Sequence, residues 1–276
     1  MSLFSVRLAE LRKQRNMSIR QIAKELDLSP QTVANWIKGE HEPSMSVIIK
    51  LADLFDVSAS FLLEPAYSTQ YEEKYRQSGF YWGEKVNDLA YETLKYMPAT
   101  RPVHLLDVGC GEGQAAVFFA RFGYHVSAFD IAETGLVKGR KLAEAAGVKV
   151  NFFQADLLDY YFIDTFDIVY STDVLEYIPP QERKRVIGHF QEFTRPGGIH
   201  VLDTFVEKPF IPTPPDWEHG KEFFWETGEL FAYYKDWKIE LIKESIINCN
   251  SAGIPHTHCM DVLIARKMET DKNRLL

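Results

Sequence analysis

The sequence predicts two domains, a small all-helical one followed by an α/β one with a mostly parallel sheet. Three observations carry that division. Up to residue 64, apolar residues recur at helical spacing and no strand-like run occurs. From Val103 onward, short apolar runs alternate with helical stretches, the pattern of a parallel sheet covered by helices on both faces. A chain of 276 residues also has room for about two domains of ordinary size.

Composition narrows the class. With 46% hydrophobic and 25% charged residues, a disordered or collagen-like chain is excluded. Three cysteines (Cys110, Cys249, Cys259) are too few and too scattered for a disulfide framework or a four-cysteine zinc site. No apolar run approaches the roughly 18 residues of a membrane span, so a cytoplasmic protein away from membranes is expected. The net charge of −8 hides an asymmetry: residues 1–38 hold seven Lys/Arg against three Asp/Glu, the remainder 24 against 36. One end of the chain can meet a polyanion that the rest would repel.

The elements follow in order. A basic amphipathic helix from Phe4 to Arg15 stops at Asn16. Ser18 caps a second helix, Ile19 to Leu26. Asp27-Leu28 turns, and Ser29-Pro30 restarts a helix with a capping serine and proline at the first helical position. That helix ends at Gly39, a good stop. Pro43-Ser44 precedes Met45 to Phe55, and a last turn covers Ala59 to Leu63. About five short helices thus make a domain over residues 1–64. Residues 65–80, polar and tyrosine-rich without periodicity, are expected to be a linker or a helix leading into the second domain. In the second domain, 81–276, the runs VHLLDV, VSAF, VNFF, FDIVY and IHVLD are the parallel strands. Trp237 to Ile247 and His256 to Ala265 suit an antiparallel hairpin at the sheet edge.

Two helices of about eight residues joined by a turn of three or four make a helix-turn-helix. Leu11-Arg12, Met17-Ser18, Ile22-Ala23, Ser29, Val33, Trp36, Gly39 and Pro43-Ser44 resemble the Cro/CI-type (XRE) repressor domain. The resemblance implies that Ser29, Gln31, Thr32 and Asn35 face the major groove of an operator duplex. Arg20, Lys24 and Lys38 would touch phosphates, and a homodimer would bind. Gln31 and Asn35 carry amides suited to adenine. Asp27 stands where glycine is usual in the turn, and Asp tolerates positive φ. A helical docking module would share the same core; the basic skew favours double-stranded DNA.

Val103 to Gly113 reads as a buried strand running into glycines and then a helix. Glycines there allow a sharp turn and close approach of a ligand. A nicotinamide-dinucleotide loop wants G-x-G-x-x-G, whereas Gly109-Cys110-Gly111-Glu112-Gly113 is G-x-G-x-G. With Asp107 ahead of it, this pattern resembles motif I of class I S-adenosylmethionine methyltransferases. Further landmarks follow in order: Asp130-Ile131 ending the second strand, 19 residues after Gly111, Asp156-Leu157 after the third, Ser171 through Tyr177 after the fourth, and Thr194-Arg195-Pro196-Gly197-Gly198 before the fifth. The resemblance implies a Rossmann-like, mostly parallel seven-stranded sheet with an antiparallel edge hairpin. It also implies that Asp130 holds the ribose hydroxyls of S-adenosylmethionine, and that Asp156 and Leu157 face the adenine. Any single aspartate here is more often a helix cap or loop solvator than a ligand; their place at successive strand ends favours a cofactor. Tyr81 and Trp82 can stack over a sulfonium or belong to the core.

From about Tyr81 to Lys267, the chain resembles more narrowly the tellurite-resistance, TehB-like methyltransferases. Phe122-Gly123-Tyr124, Gln191 through Gly198, Glu229-Leu230, Tyr234 through Trp237 and Ala265-Arg266-Lys267 carry that likeness. It implies a small acceptor such as a chalcogen oxyanion or a toxic metabolite. The family's substrate arginines are missing between the last two strands, where no arginine occurs until Arg266. His256 and His258, two apart on one strand face, and Glu176 are the candidate catalytic groups for an acceptor that must lose a proton; the two histidines read equally well as substrate donors or as partly exposed residues of an edge strand. A metal is not expected there, because no third ligand stands out. The rigid stretch Lys208 to Trp217, with Phe210 and Ile211, can wall the acceptor, as can Phe223, Phe224 and Trp225. DNA methylation is disfavoured by the missing Asn/Asp-Pro-Pro-aromatic motif. A regulator that senses S-adenosylmethionine without turnover is the alternative reading.

Overall fold

The computed structural model describes residues 3–55, 57, 59, 62, 69–162, 164–214, 222–250 and 254–269. The chain divides into two compact units, Met1–Ser68 with Asp159–Ile163, and Thr69–Leu158 with Asp164–Leu276.

The first unit contains helices α1 (Leu3–Gln14), α2 (Ile19–Glu25), α3 (Pro30–Lys38) and α4 (Met45–Phe55). Its punctuation is local. Ser18 accepts the Gln21 N–H while the Gln21 side chain accepts the Ser18 N–H, a reciprocal cap. Ser29 caps α3, Pro30 occupies its first turn, and Gly39 ends it at φ 74°. Asp27 takes φ 55°, the conformation for which the turn would otherwise use glycine. Leu8, Ile22, Val33, Leu51 and Phe55 are fully buried and Trp36 nearly so; each such side chain contributes about 1.5–3 kcal/mol. Of the expected fifth helix, most of 59–63 lies outside the described residues.

The second unit is built on seven strands: β1 (His104–Val108), β2 (His125–Asp130), β3 (Val150–Gln154), β4 (Phe166–Ser171), β5 (Thr194–Val206), β6 (Lys238–Cys249) and β7 (His256–Arg266). Their order in the sheet is β3-β2-β1-β4-β5-β7-β6. The first five are parallel, and β7 runs antiparallel to both neighbours. The central strand β4 is buried along its whole length, as helices on both faces require. The strand order reverses between β1 and β4, the crevice where open α/β sheets bind ligands.

From Thr69 onward the segment 65–80 belongs to the second unit, with helix α5 at Gln70–Lys74, followed by α6 at Asp88–Tyr96; residues 65–68 lie outside the described residues. One expectation is corrected. The fifth strand begins at Thr194, ahead of the glycines, because Phe166 already pairs with Thr194 before the register shifts. Among the described residues, no helix is long and apolar enough to cross a membrane.

Candidate functional site

In the first unit, the exposed face of α3 carries the expected contact residues. The side-chain amides of Gln31 and Asn35 stand one turn apart and 2.7 Å from each other. Arg20, Lys24 and Lys38 are exposed. Ser29 works first as a cap: its Oγ accepts the Thr32 N–H at 3.1 Å and lies 2.8 Å from Thr32 Oγ1. Those two hydroxyls serve the helix start before they can serve a groove.

In the second unit, β1 delivers Asp107 and then Gly109 and Gly111, both at positive φ. A Cβ on Gly109 would stand 2.2 Å from Val174 Cγ2, and one on Gly111 3.1 Å from the Tyr75 hydroxyl. Gly113 has another reason: its Cβ would strike Gly139 Cα at 2.8 Å and the Phe152 ring at 2.9 Å. Its glycine lets helix α7 (Gln114–Arg121) pack closely on α8 (Glu133–Ala145). Ser171, expected near the cofactor, is fully buried, and its hydroxyl donates to the Val108 carbonyl at 3.2 Å, stapling β4 to β1. Cys110 is buried, and its N–H donates to the Phe129 carbonyl.

Asp130 closes the cradle. Its Oδ2 accepts the Gly111 N–H and its Oδ1 the Ala132 N–H, both at 2.8 Å. Each oxygen retains a lone pair for a further donor. Burial pushes its pKa up to about 6 against the pull of those N–H groups. Asp107 goes further, to about 8, through burial first and then the neighbouring Asp130 charge. Asp107 is 2% exposed, and its Oδ2 has no hydrogen-bond partner among the described residues. Asp156, Leu157 and Ile131 sit half-buried at the adjoining strand ends. The Asp156 Oδ1 accepts the Leu158 N–H at 2.8 Å, and the Ile131 carbonyl accepts from Gln154.

An aromatic strap from α5 to Trp82 lies against this loop. Ring centroids are 5.5 Å apart for Tyr71–Tyr75, 5.9 Å for Tyr71–Tyr177 and 4.7 Å for Tyr81–Trp82. The Tyr71 and Tyr177 hydroxyls are 2.5 Å apart, and Trp82 Nε1–H donates to the Tyr75 hydroxyl. Tyr81 N–H donates to buried Glu112 at 2.7 Å, and Glu112 also pairs with Lys138. The Glu72 carboxylate accepts the Glu133 and Thr134 N–H groups at the start of α8, where the helix dipole favours an anion. Tyr81 and Trp82 are therefore two members of a five-ring wall that sequence reasoning did not assemble. The tyrosine-rich composition was its one visible signal.

Glu176 lies on the 3-10 turn Leu175–Tyr177 after β4, 2% exposed. Burial, and then the Asp173 charge, hold its carboxyl well above the usual range. Its Oε2 has no hydrogen-bond partner among the described residues. Asp203 accepts the Asp173 N–H at 2.8 Å and is likewise raised by burial. Phe223 N–H reaches the Glu176 carbonyl. Trp225, in contrast, is core, with its Nε1–H on the Leu175 carbonyl and Arg183 over its ring. Phe210 is exposed, and Asp216 and Trp217 lie outside the described residues. His256 and His258 share one face of β7, their Nε2 atoms 2.8 Å apart.

This strand order, with a glycine loop after β1 and an acid after β2, defines a class I methyltransferase domain, here joined to a helix-turn-helix unit. Family models agree: residues 105–198 match a methyltransferase domain and residues 8–62 a helix-turn-helix. The chain is similar to the probable S-adenosyl-L-methionine-dependent methyltransferase TehB of Haemophilus influenzae strain 10810, with 25% identity over half of this chain and 46% of the relative. It also resembles the ubiquinone biosynthesis O-methyltransferase of Rickettsia canadensis, with 24% identity over 50% of this chain and 63% of that one. The chain thus spans about half the length of the TehB relatives it matches. The crystal structure of TehB from Haemophilus influenzae superposes with a TM-score of 0.59 at 20% identity, covering 71% of this chain and 65% of that one.

Proposed function

We propose that the chain is an S-adenosylmethionine-dependent methyltransferase for a small acceptor, fused to a sequence-specific DNA-binding domain that regulates transcription. The observation that carries the enzymatic half is the Asp130–Gly111 tie. It sets a carboxylate with spare lone pairs beside a glycine cradle that no side chain can enter. The cradle suits a nucleoside, and the orphaned Asp107 oxygen suits a cationic ligand. S-adenosylmethionine, when bound, supplies an electrophilic methyl group. Asp130 accepts the ribose hydroxyls, Asp156 takes the adenine amino group, and Leu157 walls the ring. Glu176, buried and with one carboxylate oxygen that has no hydrogen-bond partner among the described residues, is the proton acceptor for an acceptor atom that must be deprotonated. A small amine, alcohol or thiol needs that base, whereas a chalcogen oxyanion such as tellurite or selenite does not. In the first unit, Gln31 and Asn35 read bases while Arg20, Lys24 and Lys38 hold phosphates, in a homodimer spanning two half-sites.

Calorimetric titration with S-adenosylmethionine and S-adenosylhomocysteine tests the pocket. Both should bind wild-type protein, and Asp130→Ala should lose both. Acceptor panels read by S-adenosylhomocysteine release then separate the chemistry. Glu176→Gln should slow turnover of neutral acceptors and leave a chalcogen oxyanion unaffected. Binding without release from any acceptor, together with cofactor-dependent operator affinity, would identify a sensor instead of an enzyme.

A further inference from the structure

Cys249 ends β6 and His256 begins β7, and the two are direct partners across the strands. Directly paired residues of an antiparallel ladder share a face, and His258, two positions on, shares it as well. One ligand atom from each of the three residues lies within 4.8 Å of the others. This supplies the third ligand that the linear sequence conceals. All three residues belong to the described part of the hairpin, and Cys249 carries its sulfur as a thiol.

We infer that Cys249, His256 and His258 form a binding site for a borderline-soft divalent cation, zinc above all. One sulfur and two imidazole nitrogens are a zinc donor set. The surroundings match what holds such ligands in place. His256 Nδ1 is 2.7 Å from the Ile254 carbonyl, the kind of outer contact that fixes the tautomer and aims Nε2 at an ion. The Phe205 ring, its centroid 4.4 Å from that of His258, forms an apolar wall behind the second imidazole. The two Nε2 atoms, at 2.8 Å, need to part by about half an ångström to sit about 2.0–2.1 Å from one tetrahedral ion.

Proton balance is explicit. Neutral imidazoles and a thiolate are the ligating forms. On binding, the Cys249 proton passes to solvent, and His258 keeps its single ring proton on Nδ1 while Nε2 takes the metal. Three protein ligands leave a fourth tetrahedral position for water or an added donor, the arrangement of catalytic rather than structural zinc sites. β7 runs antiparallel to β5 and its Cys259 pairs with Val206 at the end of β5. The cluster therefore lies at the same end of the sheet as the glycine loop. The inference does not rest on methyl transfer.

The test uses the full chain, stripped of metal by chelator under reducing conditions and titrated with Co2+. Saturation at one equivalent with a thiolate-to-cobalt charge-transfer band, displaced by Zn2+, is the expected result. Cys249→Ser should abolish the band, and His256→Ala should weaken binding at least tenfold. Cys259→Ser, removing a buried thiol from the opposite face of β7, should change neither. Circular dichroism confirms that each variant is folded. A missing band in wild-type protein overturns the inference, and so does a band that survives in Cys249→Ser. If Cys249→Ser does not fold, the half-buried His256→Ala decides the matter: unchanged affinity sinks the site.

Discussion

The two units keep their candidate functional groups on opposite sides of the burial line. In the helix-turn-helix unit, Gln31, Arg20 and Lys38 are exposed, while Leu8, Ile22, Val33 and Trp36 carry the core. In the sheet unit, Asp107, Asp130 and Glu176 are buried, and Asp130 is tied to two backbone N–H groups. Specificity in the first unit is thus separable from stability. In the second, the same atoms serve both, because a carboxylate must be desolvated to meet a ligand in the crevice and must be satisfied while it waits.

Substitutions can break or sharpen that contrast. The largest effect belongs to the first unit's core. Trp36→Ala should cost about 3–5 kcal/mol by denaturant unfolding of that unit's transition, leaving cofactor affinity as it was. Next comes Asp130→Ala. Loss of two charged acceptor bonds at about 1.5–3 kcal/mol each should weaken S-adenosylhomocysteine binding by at least about 100-fold and also lower the second unit's thermal midpoint. A fall in affinity with an unchanged midpoint would contradict the coupling. Gln31→Ala should then cost about 1–3 kcal/mol of operator discrimination, read by competition binding, with no measurable change in unfolding. Ser29→Ala is the smallest: about 1 kcal/mol of stability from the lost cap, with a matching shift in the urea midpoint. If it damaged operator affinity far beyond that, Ser29 would be a reader as well as a cap.

Acidity gives a further contrast. The base-facing side chains Ser29, Gln31, Thr32 and Asn35 carry no ionisable group, so discrimination between operator sequences should be flat between pH 6 and 8 at constant salt. Asp130, raised to about 6, is protonated below that value and ionised above it. Affinity for a ligand that donates hydroxyls to its carboxylate should therefore climb as pH rises through 6. For folding the sign is opposite: the native state holds protons on Asp107 and Asp130 that the unfolded chain releases near 4. These two groups favour the folded unit at low pH, and that contribution fades as pH rises toward 8.

The first unit was legible nearly to the residue, since caps, turn and stop are written within three or four neighbouring positions, as at Ser18, Ser29-Pro30 and Gly39. The sheet's existence and the glycine loop were equally plain. What escaped notice depends on contacts distant in sequence. Gly113, whose place in the loop suggests a ligand, also has a helix-packing duty that only Gly139 and Phe152, distant in sequence, make visible. Ser171, expected at the cofactor, also staples β4 to β1 through its hydroxyl. The strap at 70–82 lacks periodicity because its rings pack against a loop rather than against one helix face. Cys249 needed the hairpin register before it could be seen beside His256.

Asp107 has one more consequence. A carboxyl that titrates at about 8 is mostly uncharged at neutral pH, so a cation arriving beside it does not find a waiting anion. It makes one, by driving the proton off. Cofactor capture at pH 7 should then be an acid-releasing event, and its apparent heat should vary with the ionisation enthalpy of the buffer. The slope of that variation counts the protons expelled, so a spectator salt in the calorimeter becomes a gauge of how a buried acid meets a sulfonium.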